Sequence, residues 1–279
     1  MNRPCRWRPV TSPSNALRSV LLPLLLPVLL IVWACTPTPK PEHATQPQFE
    51  NQQQQSAASP ISAPAKIEVP GADSYIAAAL NKPVYEVDGL KSLVTVQVGK
   101  SGPLARLGHD HIVSSRDLRG YVLADAKNDL CSADLIMPVA TLEVDNAVLR
   151  IKAGLDTTPT AEDIAGTRAN MLNFVLNPVE HPAIALNIKN CTPLQSDRFS
   201  IALEINGMEK SQAVAVERFE LTDSYLALKV KFSILQSDFG ITPFQALGGM
   251  LKVEDALDIT VAMEAHRIVL MPHPRRKSK

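Results

Sequence analysis

The chain has 279 residues, 46% of them hydrophobic and 20% charged, which suits one large domain or two small ones. Its 28 basic and 28 acidic residues cancel, so no net field gathers a polyanion, and nucleic acid is excluded as a charge-driven partner. Most of the 22 prolines fall ahead of the first strand-like segment, so the folded part is shorter than the chain.

Residues 1–34 read as a targeting segment. Arg3, Arg6, Arg8 and Arg18 precede an apolar run over 20–33, which is shorter than a membrane span of about 20 residues and is broken by Pro23 and Pro27. A signal peptide fits that pattern. The run ends in Val32-Trp33-Ala34-Cys35, which resembles the lipobox cut ahead of its cysteine in bacterial lipoproteins, so the mature chain is expected to begin at an acylated Cys35. Trp33 is bulky for that motif, and an ordinary secretory signal or an uncleaved anchor are the alternatives. Acylation would hold the chain on a bilayer through buried methylenes at about 0.8 kcal/mol each. Thr36 resembles the sorting signal of outer-membrane lipoproteins, so the expected location is the periplasmic side of a bacterial envelope membrane, the outer rather than the inner.

Residues 35–80 form the next expected unit, the acylated cysteine followed by a Pro- and Gln-rich stretch with almost nothing to bury, which reads as a disordered linker. Within it, residues 68–80 are ambiguous, because Tyr75-Ile76-Ala77-Ala78-Ala79-Leu80 suits either a short helix or the last of the linker. From residue 81 the pattern changes to period two. Alternation is clear in 93–98, 199–205 and 214–216, and clearest in 225–234, where Leu226, Leu228, Val230, Phe232 and Ile234 share one face and Lys229 and Lys231 the other. Further strands are expected at 84–87, 112–123, 133–139, 183–188 and 257–265, with a tight turn at Asn206-Gly207 and another turn at Gly248-Gly249 before the last strand. Many short strands without a βαβ rhythm predict an all-β sandwich or barrel over residues 81–266. One segment departs from the alternation. Thr160-Ala161-Glu162-Asp163 resembles a helix start, and Ile164, Met171, Leu172, Val175 and Leu176 recur at helical spacing up to Asn177-Pro178, as expected of a lid or side helix.

The order of features resembles the YceI-like family over residues 83–265. The residues that carry the likeness are Tyr85-Glu86-Val87-Asp88 in the opening strand, Glu180-His181-Pro182-Ala183-Ile184-Ala185-Leu186 after the helix, Ile205-Asn206-Gly207-Met208-Glu209-Lys210 before a strand, and Gln236-Ser237-Asp238-Phe239-Gly240-Ile241. The resemblance implies an antiparallel, eight-stranded, lipocalin-like β-barrel with one or two short helices. It also implies a long apolar cavity for a polyisoprenoid or related amphiphile such as a quinone, with no cofactor required. The family's lipid contacts are spread along the wall rather than set in a motif, so inward residues follow from alternation alone: Val96, Leu228, Val230 and Phe232, with Phe174 from the helix. A barrel filled by its own side chains is the alternative.

Leu107-Gly108-His109-Asp110-His111 is the chemically densest stretch. If the strand from Ile112 starts early, His109 and His111 point the same way as a metal pair would, with His181 or Asp110 as third ligand; two polar histidines at a barrel mouth are the simpler reading. Cys131 opens one expected strand and Cys191 follows another, so antiparallel pairing of the two predicts a disulfide. No Gly-x-Ser-x-Gly, His-Glu-x-x-His, Walker loop or dinucleotide fingerprint occurs, and Asp238 and Asp255 flank turns. Residues 267–279 read as a basic solvated tail. The sequence therefore predicts a tethered, non-enzymatic lipid-binding barrel, and as the alternative a metal- or haem-associated redox accessory using His109 and His111.

Overall fold

A computed structural model describes residues 67–191 and 196–270. The expected signal segment, the acylation site Cys35, most of the linker and the tail from residue 271 lie outside them. In chain order the elements are helix α1 (Ala72–Ala78), strands β1 (Val84–Val87), β2 (Leu93–Ser101), β3 (His111–Ser115), β4 (Arg119–Asp125), β5 (Leu130–Pro138) and β6 (Glu143–Val144), then helices α2 (Ala147–Lys152) and α3 (Ala161–Asn170). A π-helical turn, Met171–Leu176, continues α3, and strands β7 (Ala183–Ile188), β8 (Arg198–Ile205), β9 (Met208–Leu221), β10 (Tyr225–Leu235), β11 (Gln245–Ala246) and β12 (Leu251–Arg267) follow.

Eight strands close a ring in the order β1, β4, β5, β7, β8, β9, β10, β12 and back to β1, every pair antiparallel. This is the closed antiparallel barrel that the family resemblance implied, and it settles the choice between sandwich and barrel that alternation left open. Strand β12 has 17 residues and serves two neighbours on one edge: Ala265 to Arg267 pair β1, and Lys252 to Ala262 pair β2. The change of partner falls at Ser92, which is fully buried and whose hydroxyl donates to the Asp88 carbonyl at 2.8 Å while accepting from the Glu264 N–H at 3.1 Å. The strand expected over 112–123 is likewise two, β3 on β2 and β4 on β1. Arg116-Asp117 interrupts the apolar pattern there, and the tertiary pairing shows the interruption to be a change of partner strand.

At the β8–β9 hairpin, Asn206 and Gly207 both have positive φ, 51° and 73°, the geometry for which the Asn-Gly pair is favoured. The chain ends of the ring sort into two rims. One rim carries the β4–β5 and β9–β10 turns and the end of β12; we call it the mouth. The other carries this hairpin and helices α2 and α3; we call it the lid end. Thr160 caps α3 in a capping box with Asp163, as the sequence suggested. Arg168 then donates to the carbonyls of Ala140 at 2.6 Å and Leu142 at 2.9 Å, and Asn206 donates to the Val175 carbonyl at 2.7 Å, so the helix and the turn that continues it are fastened across the lid end.

Helix α1 belongs to the folded unit, which therefore begins ahead of residue 81. Tyr75 is buried, its ring stacked on Tyr121 at 5.7 Å and its hydroxyl donating to Asp134 at 2.8 Å. One aromatic residue thus decides what composition left ambiguous.

Candidate functional site: an apolar cavity in the mouth half

The inward faces of β4, β5, β7, β8, β9, β10 and β12 enclose a cavity of about 60 Å³ lined by nineteen residues. Ser196 supplies the sole hydroxyl among them, and none is charged. Leu226, Leu228 and Val230 come from β10, Val261 and Met263 from β12, Leu135 from β5, and Phe199 and Phe219 from β8 and β9. Alternation puts them there, since successive side chains on a strand face opposite sides, except that a register shift in β9 separates Val216 from Phe219 by three residues.

Strand β9 pairs β8 only as far as Ala215, whereas its pairing with β10 runs on to Leu221 across a register shift opposite Lys229 and Val230. Past Ala215 the Val216 N–H still donates to the Asp197 carbonyl at 2.8 Å, and Val216 and Phe219 of that stretch line the cavity. A disulfide joins Cys131, on β5, to Cys191, just after β7, with Cα atoms 5.2 Å apart, and both half-cystines also line the cavity. The pairing follows from register: Ala133 lies opposite Ile188, which carries the start of β5 to the residues just after β7.

The five residues expected to face a ligand divide. Leu228 and Val230 line the cavity. Val96 and Phe232 point inward but do not line it: both lie opposite Ile259 on its two neighbouring strands, and this cross-strand row is packed into the core toward the lid end. Alternation found their face but not their height along the barrel. Phe174 is corrected outright, because it is 71% exposed and points out of the barrel beside Phe244 at 6.4 Å. Leu172 and Leu176, one turn apart, are the residues turned inward, and a residue two positions from each lies on the opposite face. Phe199, Phe219 and Met263 were missed; alternation in 199–205 carried the signal for Phe199.

The histidines do not assemble a metal pair. Strand β3 starts at His111, so His109 precedes it and alternation does not apply; the rings meet edge-on at 6.4 Å. His111 Nδ1 is 2.6 Å from Asp145 Oδ2, while Asp145 Oδ1 accepts from Arg150 at 2.5 Å and from the Ile112 N–H at 3.0 Å. Arg150 also donates to the carbonyls of Asp110 and Thr157, both at 2.8 Å. Burial alone would raise the Asp145 carboxyl, but the hydrogen bonds from His111, Ile112 and Arg150 outweigh it and hold the carboxyl below its ordinary value. This network fastens α2 to β3, and it occupies one nitrogen of His111. Of the two suggested third ligands, Asp110 pairs with Lys100 at 3.1 Å and His181 lies against Gly207. Among the described residues no three His, Cys, Asp or Glu side chains gather as a metal site would need.

Neither a protein-family model nor a curated protein matches the chain. Solved structures do resemble it. BcnA of Burkholderia cenocepacia is 14% identical, with a TM-score of 0.46 over 64% of this chain and 98% of that one. A polyisoprenoid binding domain from Saccharophagus degradans is 9% identical, with a TM-score of 0.45 over 66% and 98%. The YceI protein of Campylobacter jejuni is 11% identical, with a TM-score of 0.39 over 55% and 82%.

Proposed function

We propose that the chain is a binding protein, not an enzyme, that takes the apolar part of a chain-like lipid of the polyisoprenoid or quinone class into the mouth half of its barrel. The observation that carries this reading is the lining: among the described residues, an apolar wall with one hydroxyl and no charge. Such a wall offers a guest nothing but desolvation, and each buried methylene contributes about 0.8 kcal/mol. Specificity then comes from width and length.

The cavity's 60 Å³ is well below the roughly 300–1,000 Å³ of pockets that enclose a whole ligand, so entry requires the lining to yield. Phe199, Phe219 and Met263 are the large side chains able to swing. Ordering or displacing each costs about 0.5–1.5 kcal/mol, which a few buried methylenes offset. The guest therefore displaces side chains rather than filling a ready-made tunnel.

The signal-like residues 1–34 and Cys35 support a periplasmic, membrane-tethered setting for this role, with the outer membrane as the expected anchor site. Native mass spectrometry of the chain purified from bacterial membranes tests the reading. An apolar adduct is expected in the parent chain, and at least tenfold less of it in Val230→Phe, which fills the cavity from its wall. Absence of any adduct after incubation with mixed polyprenols and quinones, or equal loading of a Val230→Phe variant with unchanged melting temperature, would overturn it.

A further inference from the structure

On five of the strands that wall the cavity, the next inward residue toward the lid end belongs to the packed core instead. Leu135 of β5 lines the cavity and Met137 does not; the same change separates Ile201 from Leu203 on β8 and Leu186 from Ile184 on β7. Strands β10 and β12 repeat it, with Val230 followed by Phe232 and Val261 by Ile259. Leu172, 1% exposed on the π-helical turn, enters the same core, and withdrawing it would break the Arg168 and Asn206 bonds to three backbone carbonyls. The cavity therefore has a floor.

This floor is held more firmly than the wall. Phe199 and Phe219 of the wall are only partly buried, so displacing them exposes little new apolar surface. Leu203 and Ile259 of the floor are buried on strands that are paired there along both edges. The depth above the floor follows from strand geometry. The lining runs from Leu226 to Val230 on β10 and from Cys131 to Leu135 on β5, which is about 13 Å along the strand and about 10 Å along the axis at the usual barrel tilt. An extended chain advances about 3.3 Å per three bonds, as the backbone itself does, so this depth takes about a dozen bonds, or about three isoprene units.

We propose that the floor sets the length of the guest: the barrel encloses about three isoprene units of an apolar chain and leaves any further length outside, with Phe232 determining the limit. The inference rests on the ligand reading and narrows its substrate class to chains of that length, free or as the end of a longer one. Phe232 is singled out because it lies in line with Leu228 and Val230 on one face of β10 and is the largest floor side chain. The next inward residue of that strand is Ile234, so removing the ring deepens the cavity by roughly 7 Å, enough for about one more unit.

Displacement of a fluorescent fatty-acid probe from the full chain tests it, using geraniol, farnesol and geranylgeraniol, each one isoprene unit longer than the last and kept below its aggregation concentration. A methylene moved from water into the barrel strengthens binding about fourfold. After the cost of displacing side chains, the step from geraniol to farnesol is expected to gain at least about tenfold, and the step from farnesol to geranylgeraniol less than about threefold. In Phe232→Ala the second step should also reach about tenfold. Phe232→Leu, which keeps the core better filled, should raise the second step by a smaller factor. An equal gain in both steps in the parent chain overturns the proposal, as does either variant melting as cooperatively as the parent and keeping its pattern. Failure of all the alcohols to displace the probe would end the ligand reading itself, whereas displacement with an affinity that climbs at every step ends the length limit alone.

Discussion

The two halves of the barrel share most of their strands and the same apolar alternation, yet one is hollow and the other filled. In the lid half, Leu172 and Leu176 from the π-helical turn and Phe239 and Ile241 from the connection after β10 enter the core and meet the row of Val96, Ile259 and Phe232. The mouth half receives no such plug from its described turns, and its wall is held by the Cys131–Cys191 bridge instead. Strands define the walls, and connections decide which part of the interior stays open.

If stability resides chiefly in the lid half, damage there should cost most. The largest effect is expected from Arg150→Met, which leaves the fully buried Asp145 carboxylate without its guanidinium partner; a loss of about 3–5 kcal/mol should appear in urea unfolding. A loss below 1 kcal/mol would mean that the network is not what secures α2. Next comes a matched pair of truncations. Leu172→Ala, at a side chain 1% exposed, is expected to cost about 2–5 kcal/mol, and Leu228→Ala, whose side chain already faces empty space, about 1–2 kcal/mol. Equal costs would erase the distinction between the halves. The smallest effect concerns pH. The folded state holds the Asp145 carboxyl below its ordinary value, so its stabilising contribution is complete at neutral pH and is lost as pH falls from the ordinary carboxyl range, near 4, through that lowered value. Melting temperature should therefore fall more steeply below about pH 4 in the parent chain than in Asp145→Asn.

What was legible in the sequence was whatever depends on local periodicity. The β10 face, the Asn206-Gly207 hairpin and the Thr160 cap follow from period two, turn chemistry and capping chemistry, each decided within a few residues. The disulfide was legible because both cysteines flank strand ends, so pairing alone brings them together. Residues whose role depends on long-range register were not. Val96 and Phe232 have the right face but sit beside Ile259, at a level that no local pattern encodes. Phe174 looked like a core aromatic at helical spacing, yet Leu172 and Leu176 hold the inner face. His109 and His111 suggested a metal pair until Asp145, 34 positions after His111, took up one nitrogen of the second ring.

The long last strand also bears on how the barrel can form. Residues of β12 hydrogen-bond to β10, β1, β2 and β11, so four strands share a single late partner, and the earliest strands wait for residues more than 150 positions away. Until residues 251–267 have been synthesised the ring cannot close, and such distant pairing makes for slow folding. A nascent chain of this kind stays open and threadable while most of its length already exists.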